Sequence, residues 1–509
     1  MGIRSVITTS YTPPNHKSAT DHPNIIIGYI NTELSHGRYT GPFSKSRLES
    51  LIGPFRSSPL GTVPKSGPDQ FRIIQDLSFP RNDPHHQSVN SEIDSLLFPC
   101  DWGTFTQIAE IVRNSPPGTQ AATMDVDAAF RCCPIKPEQQ PHFVIQWDDF
   151  FYIDHNAPFG AVSSGGVFGR LADTMATIIR HHTSDECRNW VDDFVLFRSP
   201  TTVSVTPTVP YVYPYDLPLI QNIANKLGWP WKPSKTRPFA SVFRYLGFMW
   251  DLEEKSVYIP DEKRLKYLER IDVWYANSTH TRKEAESLLG TLVHCSLAIA
   301  DGRSRLPALS RFVYSFEGKS FFSRRTPSAS TMQDVAWWYA TLKMPSPGSS
   351  IKPPPPPVDI NLWVDASTSY GIGVVFDDSW EAWRLVSGWD RHPQRRIGWA
   401  EAIALECGIR WAIHRGMKNS HFIIKSDNMG VIGALEGGKS RNVEQNIVLQ
   451  RITTLLRIHS LWISTSYTPS ASNLADAPSR GVAPPGLLRS VDTFTLPAPL
   501  SSFLHSRAT

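Results

Sequence analysis

The stretch Asn189-Trp-Val-Asp192-Asp193-Phe-Val-Leu196 places two consecutive aspartates inside an otherwise apolar, β-rich run. Aspartate is rarely buried in a strand unless it is paired or binds a metal. A tight β-hairpin with both acids at its tip fits this pattern, and a simple polar turn between two strands is the alternative. The hairpin is therefore the first candidate for a functional site that contains several carboxylates.

A second acidic motif, Thr123-Met-Asp125-Val-Asp127-Ala-Ala-Phe130, lies upstream of this hairpin. If the two motifs converge, their carboxylates can hold hard divalent ions that activate a hydroxyl and stabilise a leaving phosphate. Short strand-like runs alternate with helical stretches from Leu60 to Trp250, which indicates a mixed α/β region. The predicted elements here are a helix at Gly166–Arg180 and strands at Phe71–Ile74, Phe143–Trp147, Phe194–Phe197 and Phe243–Phe248.

Another set of acids follows a run of five prolines that ends at Pro357. The order between Asn361 and Arg480 is strand, strand, helix, strand, helix, with strands at Leu362–Asp365, Ile372–Phe376 and Phe422–Lys425 and helices at Glu401–His414 and Gln445–Ile458. Acids at strand ends and at a helix start can meet at one edge of a sheet. Four acids occupy such places: Asp365, Glu401, Asp427 and Asp476.

Some of these acids have simpler explanations. Glu406 competes with Glu401 for the helix position, and the residues themselves leave both candidates open. Glu401 could also be a favourable charge at a helix N-terminus. Asp427 could be an ordinary turn acid.

Composition limits the class of protein. The chain has 509 residues, of which 40% are hydrophobic, and this excludes a wholly disordered chain. No apolar run approaches the ~18 residues that a membrane helix needs, and the polar segment Met1–Asn24 lacks the apolar core of a signal peptide. None of the six cysteines forms a CxxC pair, so we expect an intracellular, reducing compartment, with cytoplasm and nucleus both open. The net charge of +4 permits a nucleic-acid partner.

The order of motifs before the prolines resembles that of retroelement reverse transcriptases. The match runs through the following segments: Pro64-Lys65, Phe71–Ser78, Asp125–Phe130, Ala157-Pro-Phe-Gly160, Trp190-Val-Asp-Asp193, Leu227–Lys235 and Tyr245–Phe248. The resemblance implies that Asp125, Asp192 and Asp193 are the catalytic, metal-binding acids. It implies a right-hand polymerase of fingers, palm and thumb that acts on an RNA template, a DNA primer and dNTPs.

The same resemblance assigns a dNTP-binding set. Lys65 and Arg72 would neutralise the triphosphate, where charge builds in the transition state, or they are ordinary surface cations. Phe130 would lie under the sugar and exclude a 2′-hydroxyl, or it is a core aromatic. Phe159 and Gly160 would lie near the templating base. Lys235 could donate a proton to pyrophosphate, or it is a solvated lysine.

The acids after the prolines resemble those of a ribonuclease H domain. Such a domain has a mixed α/β fold and cuts the RNA strand of an RNA/DNA hybrid. Asp365, Glu401, Asp427 and Asp476 would then be catalytic and would hold two Mg²⁺, as Asp125, Asp192 and Asp193 would in the polymerase, with Mn²⁺ as a substitute. Tyr467–Asn473 lacks the histidine that many relatives carry there. The closest resemblance is therefore to DIRS-type and related fungal retrotransposons.

The resemblance also implies domain boundaries. They are an N-terminal extension at 1–40, fingers and palm at 41–254, thumb and connection helices at 255–344, a Pro-rich linker at 345–358, a ribonuclease H-like domain at 359–482 and a flexible tail at 483–509. The helical segment from Glu262 to Arg325 holds 12 Lys and Arg against seven Asp and Glu, either as a solvated face or as a track for a duplex backbone. The oligomeric state stays open.

Three functions compete at this point. The leading hypothesis is a reverse transcriptase with ribonuclease H activity, a multifunctional enzyme of a transposable element. The alternatives are a non-catalytic nucleic-acid-binding relic and a hybrid-specific endonuclease with an inactive polymerase. Seven intact acids in family order argue against the relic.

Overall fold

A computed structural model describes residues 1–65, 70–201, 211–492 and 494–505 of the chain. Its contacts divide the chain into two compact units. Unit 1 comprises Met1–Leu246 with Asp251–Glu253, and unit 2 comprises Gly247–Trp250 with Glu254–Thr509. Within the described ranges, no helix is long and apolar enough to cross a membrane.

Unit 1 is a mixed α/β structure. Its helices are α1 Lys17–Thr20, α2 Pro23–Ser35, α3 Lys45–Ile52, α4 Phe105–Asn114, α5 Ser164–Thr183 and α6 Leu217–Leu227. Its strands are β1 Tyr39–Phe43, β2 Leu60–Pro64, β3 Phe71–Gln75, β4 Gln120–Asp125, β5 Val144–Trp147, β6 Phe150–Asp154, β7 Cys187–Trp190, β8 Asp193–Arg198, β9 Arg237–Ala240 and β10 Val242–Tyr245.

The predicted acidic hairpin forms the centre of unit 1. Strands β7 and β8 pair antiparallel, and the turn between them consists of Val191, with φ of 54°, and Asp192. Strand β4 lies against the other edge of β8, in a sheet of order β7-β8-β4-β9. The predicted helix is also confirmed as α5, which packs its buried face, including Phe168 and Met175, into the core beside this sheet.

The prediction of a single strand at Phe243–Phe248 is wrong. Strand β10 ends at Tyr245, and the next strand, β11, covers Phe248–Asp251. The break has a backbone cause, because Leu246 and Gly247 have φ of 52° and 81°, in the left-handed region that no strand uses.

The segment predicted as an N-terminal extension packs into unit 1. Helix α2 buries Ile26, Ile30 and Glu33, and the two isoleucines belong to a core cluster shared with the three-stranded sheet β1-β6-β5. Glu33 accepts hydrogen bonds from the Arg131 guanidinium, with a distance of 2.8 Å from Nη2 to Oε2. Arg131 also contacts Asp154 at 2.8 Å, and the three side chains are at most 4% exposed.

Unit 2 contains a helical segment followed by a second α/β segment. Its helices are α7 Asp261–Tyr275, α8 Arg282–Ala298, α9 Pro307–Tyr314, α10 Ala329–Lys343, α11 Ile397–His414, α12 Met429–Gly437, α13 Val443–His459, α14 Asp476–Ser479 and α15 Ala498–Ser501. Beyond β11, its strands are β12 Ser256–Tyr258, β13 His280–Thr281, β14 Arg324–Arg325, β15 Gly348–Ser350, β16 Val358–Ala366, β17 Gly371–Phe376, β18 Ser379–Arg384, β19 Ser420–Ser426, β20 Leu461–Tyr467 and β21 Leu488–Arg489.

A six-stranded sheet of order β20-β19-β16-β17-β18-β21 forms the second α/β segment. Strands β16, β17 and β18 are antiparallel neighbours, whereas β19 and β20 run parallel to β16. Helix α11 packs on β16 and β17 and against α13. The predicted strands and helices all lie within these elements, and the sequence analysis missed β18, α12 and β20.

The predicted linker and the predicted flexible tail both need correction. Part of the predicted linker forms β15, which pairs antiparallel with β12. The described part of the predicted flexible tail is packed, because β21 pairs with β18 and the side chains of Leu500 and Leu504 are buried in the core around Trp399. Thr493 and residues 506–509 of that tail lie outside the described residues.

The buried ion cluster of unit 1 gives a stability prediction. We expect Arg131→Met to lower the free energy of unfolding of unit 1 by about 3–5 kcal/mol, because it leaves the buried Asp154 carboxylate without its counter-ion and leaves the buried Glu33 paired with Arg38 alone. Hydrogen exchange of β4 and β8 across a urea series measures this loss in the full chain. Arg47→Met, at an exposed position of α3, is the control and should change stability by no more than about 0.5 kcal/mol. Equal, small losses in both variants would contradict the assignment.

Candidate active sites

Three acids meet at one end of the central sheet of unit 1. Asp125 is the last residue of β4, and Asp193, the first of β8, is its direct partner across the antiparallel pair. The Val126 amide donates to the Asp192 carbonyl at 3.0 Å, which fixes the hairpin turn beside the end of β4. The antiparallel ladder therefore brings the two sequence motifs together.

Lysines from one loop partly neutralise these acids. The Lys235 ammonium donates to Asp125 Oδ2 at 2.6 Å, and Lys232 donates to Asp127 at 2.9 Å. The Lys232 amide also donates to the Asp125 carbonyl at 2.8 Å, so this loop is fastened to the end of β4. Lys235, predicted as a proton donor to pyrophosphate or as a solvated lysine, also forms an ion pair that balances the charge of Asp125.

The carboxylates repel one another. The pKa of Asp193 is raised to about 6 by desolvation and by the Asp192 and Asp125 charges. Desolvation, with repulsion from Asp125, also raises the pKa of Asp192. The Lys235 pKa is raised by its hydrogen bond to Asp125. The site thus carries excess negative charge that a cation would stabilise.

The acids border a cavity of about 1070 Å³ within unit 1. Asp125 and Asp192 line it, and so does each member of the predicted dNTP-binding set: Lys65, Arg72, Phe130, Phe159 and Gly160. Lys65 and Arg72 are exposed, so their charges are free to meet an anionic ligand. The cavity therefore has carboxylates and lysines at one wall and exposed cations at another.

The aromatic residues of the cavity are in contact. The ring centroids of Phe130 and Phe159 are 5.1 Å apart, and Phe159 is 50% exposed. Gly160 has φ of 117°, and a Cβ there would lie 3.0 Å from the Gln75 carbonyl oxygen. A side chain at this position would therefore strain the backbone and close the gap to β3.

Helix α2 supplies a wall that the sequence analysis missed. Ile25, Tyr29, Thr32 and Glu33 line the same cavity. The sequence signal for this helix is the apolar run Ile25–Ile30, in which Ile26 and Ile30 are four residues apart, as on one face of a helix. It was hidden by the polar composition of the surrounding segment.

A second acid cluster lies in unit 2. Asp365, near the end of β16, Glu401, in the second turn of α11, and Asp427, just after β19, each offer a carboxylate oxygen within 4.8 Å of the others. Strands β16 and β19 are parallel, so both end at the same edge of the sheet. The fourth candidate, Asp476, begins α14 and raises the Asp365 pKa by its charge.

The cluster fits a hard divalent cation. The pKa of Asp365 is raised to about 7 and that of Glu401 to about 9, in both cases first by burial and then by neighbouring carboxylates. Glu401 is 5% exposed, and its Oε2 is buried with no hydrogen-bond partner among the described residues. Clustered carboxylate oxygens of this kind are the ligands that Mg²⁺ and Mn²⁺ prefer.

Two polar contacts in this site carried no role in the sequence analysis. The Ser470 hydroxyl donates to Asp427. The Arg480 guanidinium holds Asp476 through two contacts, Nη2 to Oδ1 at 2.8 Å and Nε to Oδ2 at 3.0 Å. Spacing along the sequence could have suggested the second contact, since Arg480 follows Asp476 by four residues.

Glu406, the competitor of Glu401, lies elsewhere. It is fully buried and receives hydrogen bonds from Arg410 at 2.8 Å and from Arg451 at 2.6 Å. Arg410 belongs to α11 and Arg451 to α13, so the Glu406 carboxylate links these two helices. The structure brings Glu401, and not Glu406, to the other acids.

The chain is similar in sequence to a viral polyprotein. No family model matches the chain. It is 23% identical over 265 residues to the Gag-Pol polyprotein of avian reticuloendotheliosis virus, a match that covers 50% of this chain and 20% of the polyprotein. The chain therefore spans about a fifth of the length of this curated relative.

Solved structures show a related fold. The foamy viral protease-reverse transcriptase in complex with an RNA/DNA hybrid has a TM-score of 0.51 and 14% identity, over 91% of this chain and 56% of that chain. The dRH form of the foamy viral protein with double-stranded DNA has a TM-score of 0.49 and 13% identity, over 92% and 73%. The chain thus has a mixed α/β multidomain fold similar to that of a retroviral protease-reverse transcriptase.

Proposed function

We propose that the chain is an RNA-directed DNA polymerase joined to a ribonuclease H, of a retroelement related to the DIRS-type and fungal groups. One observation carries the proposal: a single chain holds two separate carboxylate clusters at sheet edges, one beside a large cavity and one around a buried glutamate. The similarity to Gag-Pol and the fold of the foamy viral protein support it. In this proposal unit 1 holds fingers and palm, α7–α10 serve as thumb and connection, and the β16–β20 sheet is the nuclease.

In the polymerase site, RNA template, DNA primer and dNTP would meet in the cavity of unit 1. Bound Mg²⁺, or Mn²⁺, would activate the attacking hydroxyl and stabilise the leaving phosphate, with Asp125, Asp192 and Asp193 as its ligands. Lys65 and Arg72 bind the triphosphate by charge. Phe130 excludes the 2′-hydroxyl of the sugar, and Lys235 balances the charge of Asp125.

In the nuclease site, an RNA/DNA hybrid would meet Asp365, Glu401, Asp427 and Asp476, which would hold a second pair of divalent ions. Ser470 orients the Asp427 carboxylate, and Arg480 orients that of Asp476. Because both supporting groups are hydrogen-bond donors, they keep these acids in place before a cation arrives.

Substitution of each acid set separates the two activities. We expect Asp192→Asn/Asp193→Asn to lower Mg²⁺-dependent extension of a poly(rA)/oligo(dT) primer by about 100-fold or more, since lost metal ligands cost several kcal/mol of transition-state stabilisation. Cleavage of a labelled RNA strand in a hybrid should persist. Asp427→Asn should show the reverse pattern.

Two consecutive acid pairs serve as matched controls. Asp148 and Asp149 form the exposed turn between β5 and β6, and Asp377 and Asp378 form the exposed turn between β17 and β18. Their conversion to asparagine should leave both activities unchanged. A wild-type chain that cleaves hybrids but never extends a primer would instead identify a nuclease with an inactive polymerase. Binding of hybrids without turnover would identify a relic.

Cation binding can be tested without activity. In chelator at pH 8 we expect Asp365→Asn to raise the melting temperature of unit 2, because it removes a charge whose pKa is raised to about 7 by burial and repulsion. With Mn²⁺ at about 100 times its Kd, the wild type should gain about 2.7 kcal/mol and Asp365→Asn little. Asp377→Asn/Asp378→Asn should gain as the wild type does. An equal gain in Asp365→Asn would refute the site.

The role of Phe130 can be measured as a ratio. We expect Phe130→Val to raise kcat/KM for ribonucleotides relative to deoxyribonucleotides by about 10- to 200-fold, because a smaller side chain leaves room for the 2′-hydroxyl. Single-nucleotide incorporation supplies both constants. If Phe130 only packs against Phe159 and Phe168, both nucleotide classes should lose activity equally and the ratio should stay constant.

A further inference from the structure

An exposed aromatic turn lies between α9 and β14, apart in sequence from either acid set. At its tip Phe321 is 69% exposed and Phe322 is 84% exposed. The two rings are neighbours, with centroids 5.6 Å apart and planes at 89°. Large aromatic side chains that are adjacent and exposed are unusual on a protein surface and mark sites of interaction. We call Phe321 and Phe322 the aromatic tip.

The base of this turn is fixed. Phe316 is 2% exposed and packs against Phe312, with ring centroids 5.3 Å apart. Strand β14 pairs with β13, and the Arg324 guanidinium donates to the Thr279 carbonyl at 2.6 Å. Within the turn, the Ser323 amide donates to the Ser320 carbonyl at 3.0 Å. The aromatic tip is therefore presented by an anchored turn.

The charges around the tip are mostly positive. Residues 317–325 contain Lys319, Arg324 and Arg325 against a single acid, Glu317. Arg324 lies 3.6 Å from the Glu284 carboxylate, whereas Lys319 and Arg325 are exposed and form no ion pair with any described residue. A cationic rim next to apolar rings complements a ligand that has both negative charge and flat apolar faces.

We propose that the aromatic tip binds single-stranded nucleic acid, with unpaired bases stacked on Phe321 and Phe322 and phosphates held by Lys319 and Arg325. Base stacking requires faces that a duplex keeps occupied, so the tip favours unpaired over paired strands. The proposal rests on the proposed function only in that a polymerase of this kind handles a single-stranded template. It adds a contact outside both acid sites.

The test is fluorescence anisotropy of the full chain with a labelled, unstructured 20-nucleotide RNA. F321A/F322A should weaken binding by about tenfold or more, because two stacking faces are lost, and should leave the salt dependence unchanged. K319Q/R325Q should instead lower the slope of log affinity against log salt by about one to two. F150A, which removes a 49%-exposed ring at the start of β6, is the matched control and should bind as the wild type does.

Three outcomes would overturn the proposal. They are unchanged affinity in F321A/F322A, a monomer–dimer equilibrium in sedimentation that this variant abolishes, and binding to anionic vesicles that depends on the tip. The result is separable from the proposed function, because anisotropy reports RNA binding without requiring primer extension or hybrid cleavage. RNA binding through the tip by a chain that neither extends primers nor cuts hybrids would leave this inference standing and remove the proposed function.

Discussion

Carboxylates that are held close together repel one another, and folding of each unit must overcome that repulsion. In unit 1 the ladder between β4 and β8 sets Asp125 opposite Asp193, and in unit 2 the parallel strands β16 and β19 end beside Glu401. Backbone hydrogen bonds and buried apolar side chains supply the stabilisation, since neither acid cluster can. Burial first, and the neighbouring carboxylates second, raise the pKa values of Asp193, Asp365 and Glu401.

The two units offset this cost differently. In unit 1 the ammonium group of Lys235 contacts Asp125 directly, so part of the charge is balanced inside the protein. In unit 2 Arg480 contacts Asp476, at the margin, while the inner oxygen of Glu401 has no partner among the described residues. The acid cluster of unit 2 therefore has less of its charge balanced by cationic side chains than the acid cluster of unit 1 has.

Much of both acid sites could be predicted because most of their acids lie at the ends of strongly apolar strands. A polar residue that ends such a run is visible in a local window, as Asp365 and Asp193 show. The packed ends of the chain could not be predicted in this way. Glu33 meets Arg131 only after folding brings residues 98 positions apart into contact, and Leu500 enters a core formed around Trp399. Their local composition resembles that of loops, and only distant partners make them ordered.

Strand direction explains how each acid set is assembled from positions that are distant in the sequence, with Asp125 and Asp192 in one set and Asp365 and Asp427 in the other. Because β4 and β8 are antiparallel, the end of β4 lies beside the start of β8, and Asp125 is opposite Asp193. The two-residue turn between β7 and β8 adds Asp192 to this pair. Parallel neighbours must end at the same edge, and this requires a long crossover between β16 and β19. Helix α11 lies in that crossover, and its first turns reach the same edge, where they contribute Glu401. The crossover between Asp365 and Asp427 thus gives the second cluster a buried helix acid, whereas the three acids of the first cluster lie at strand ends and in a turn.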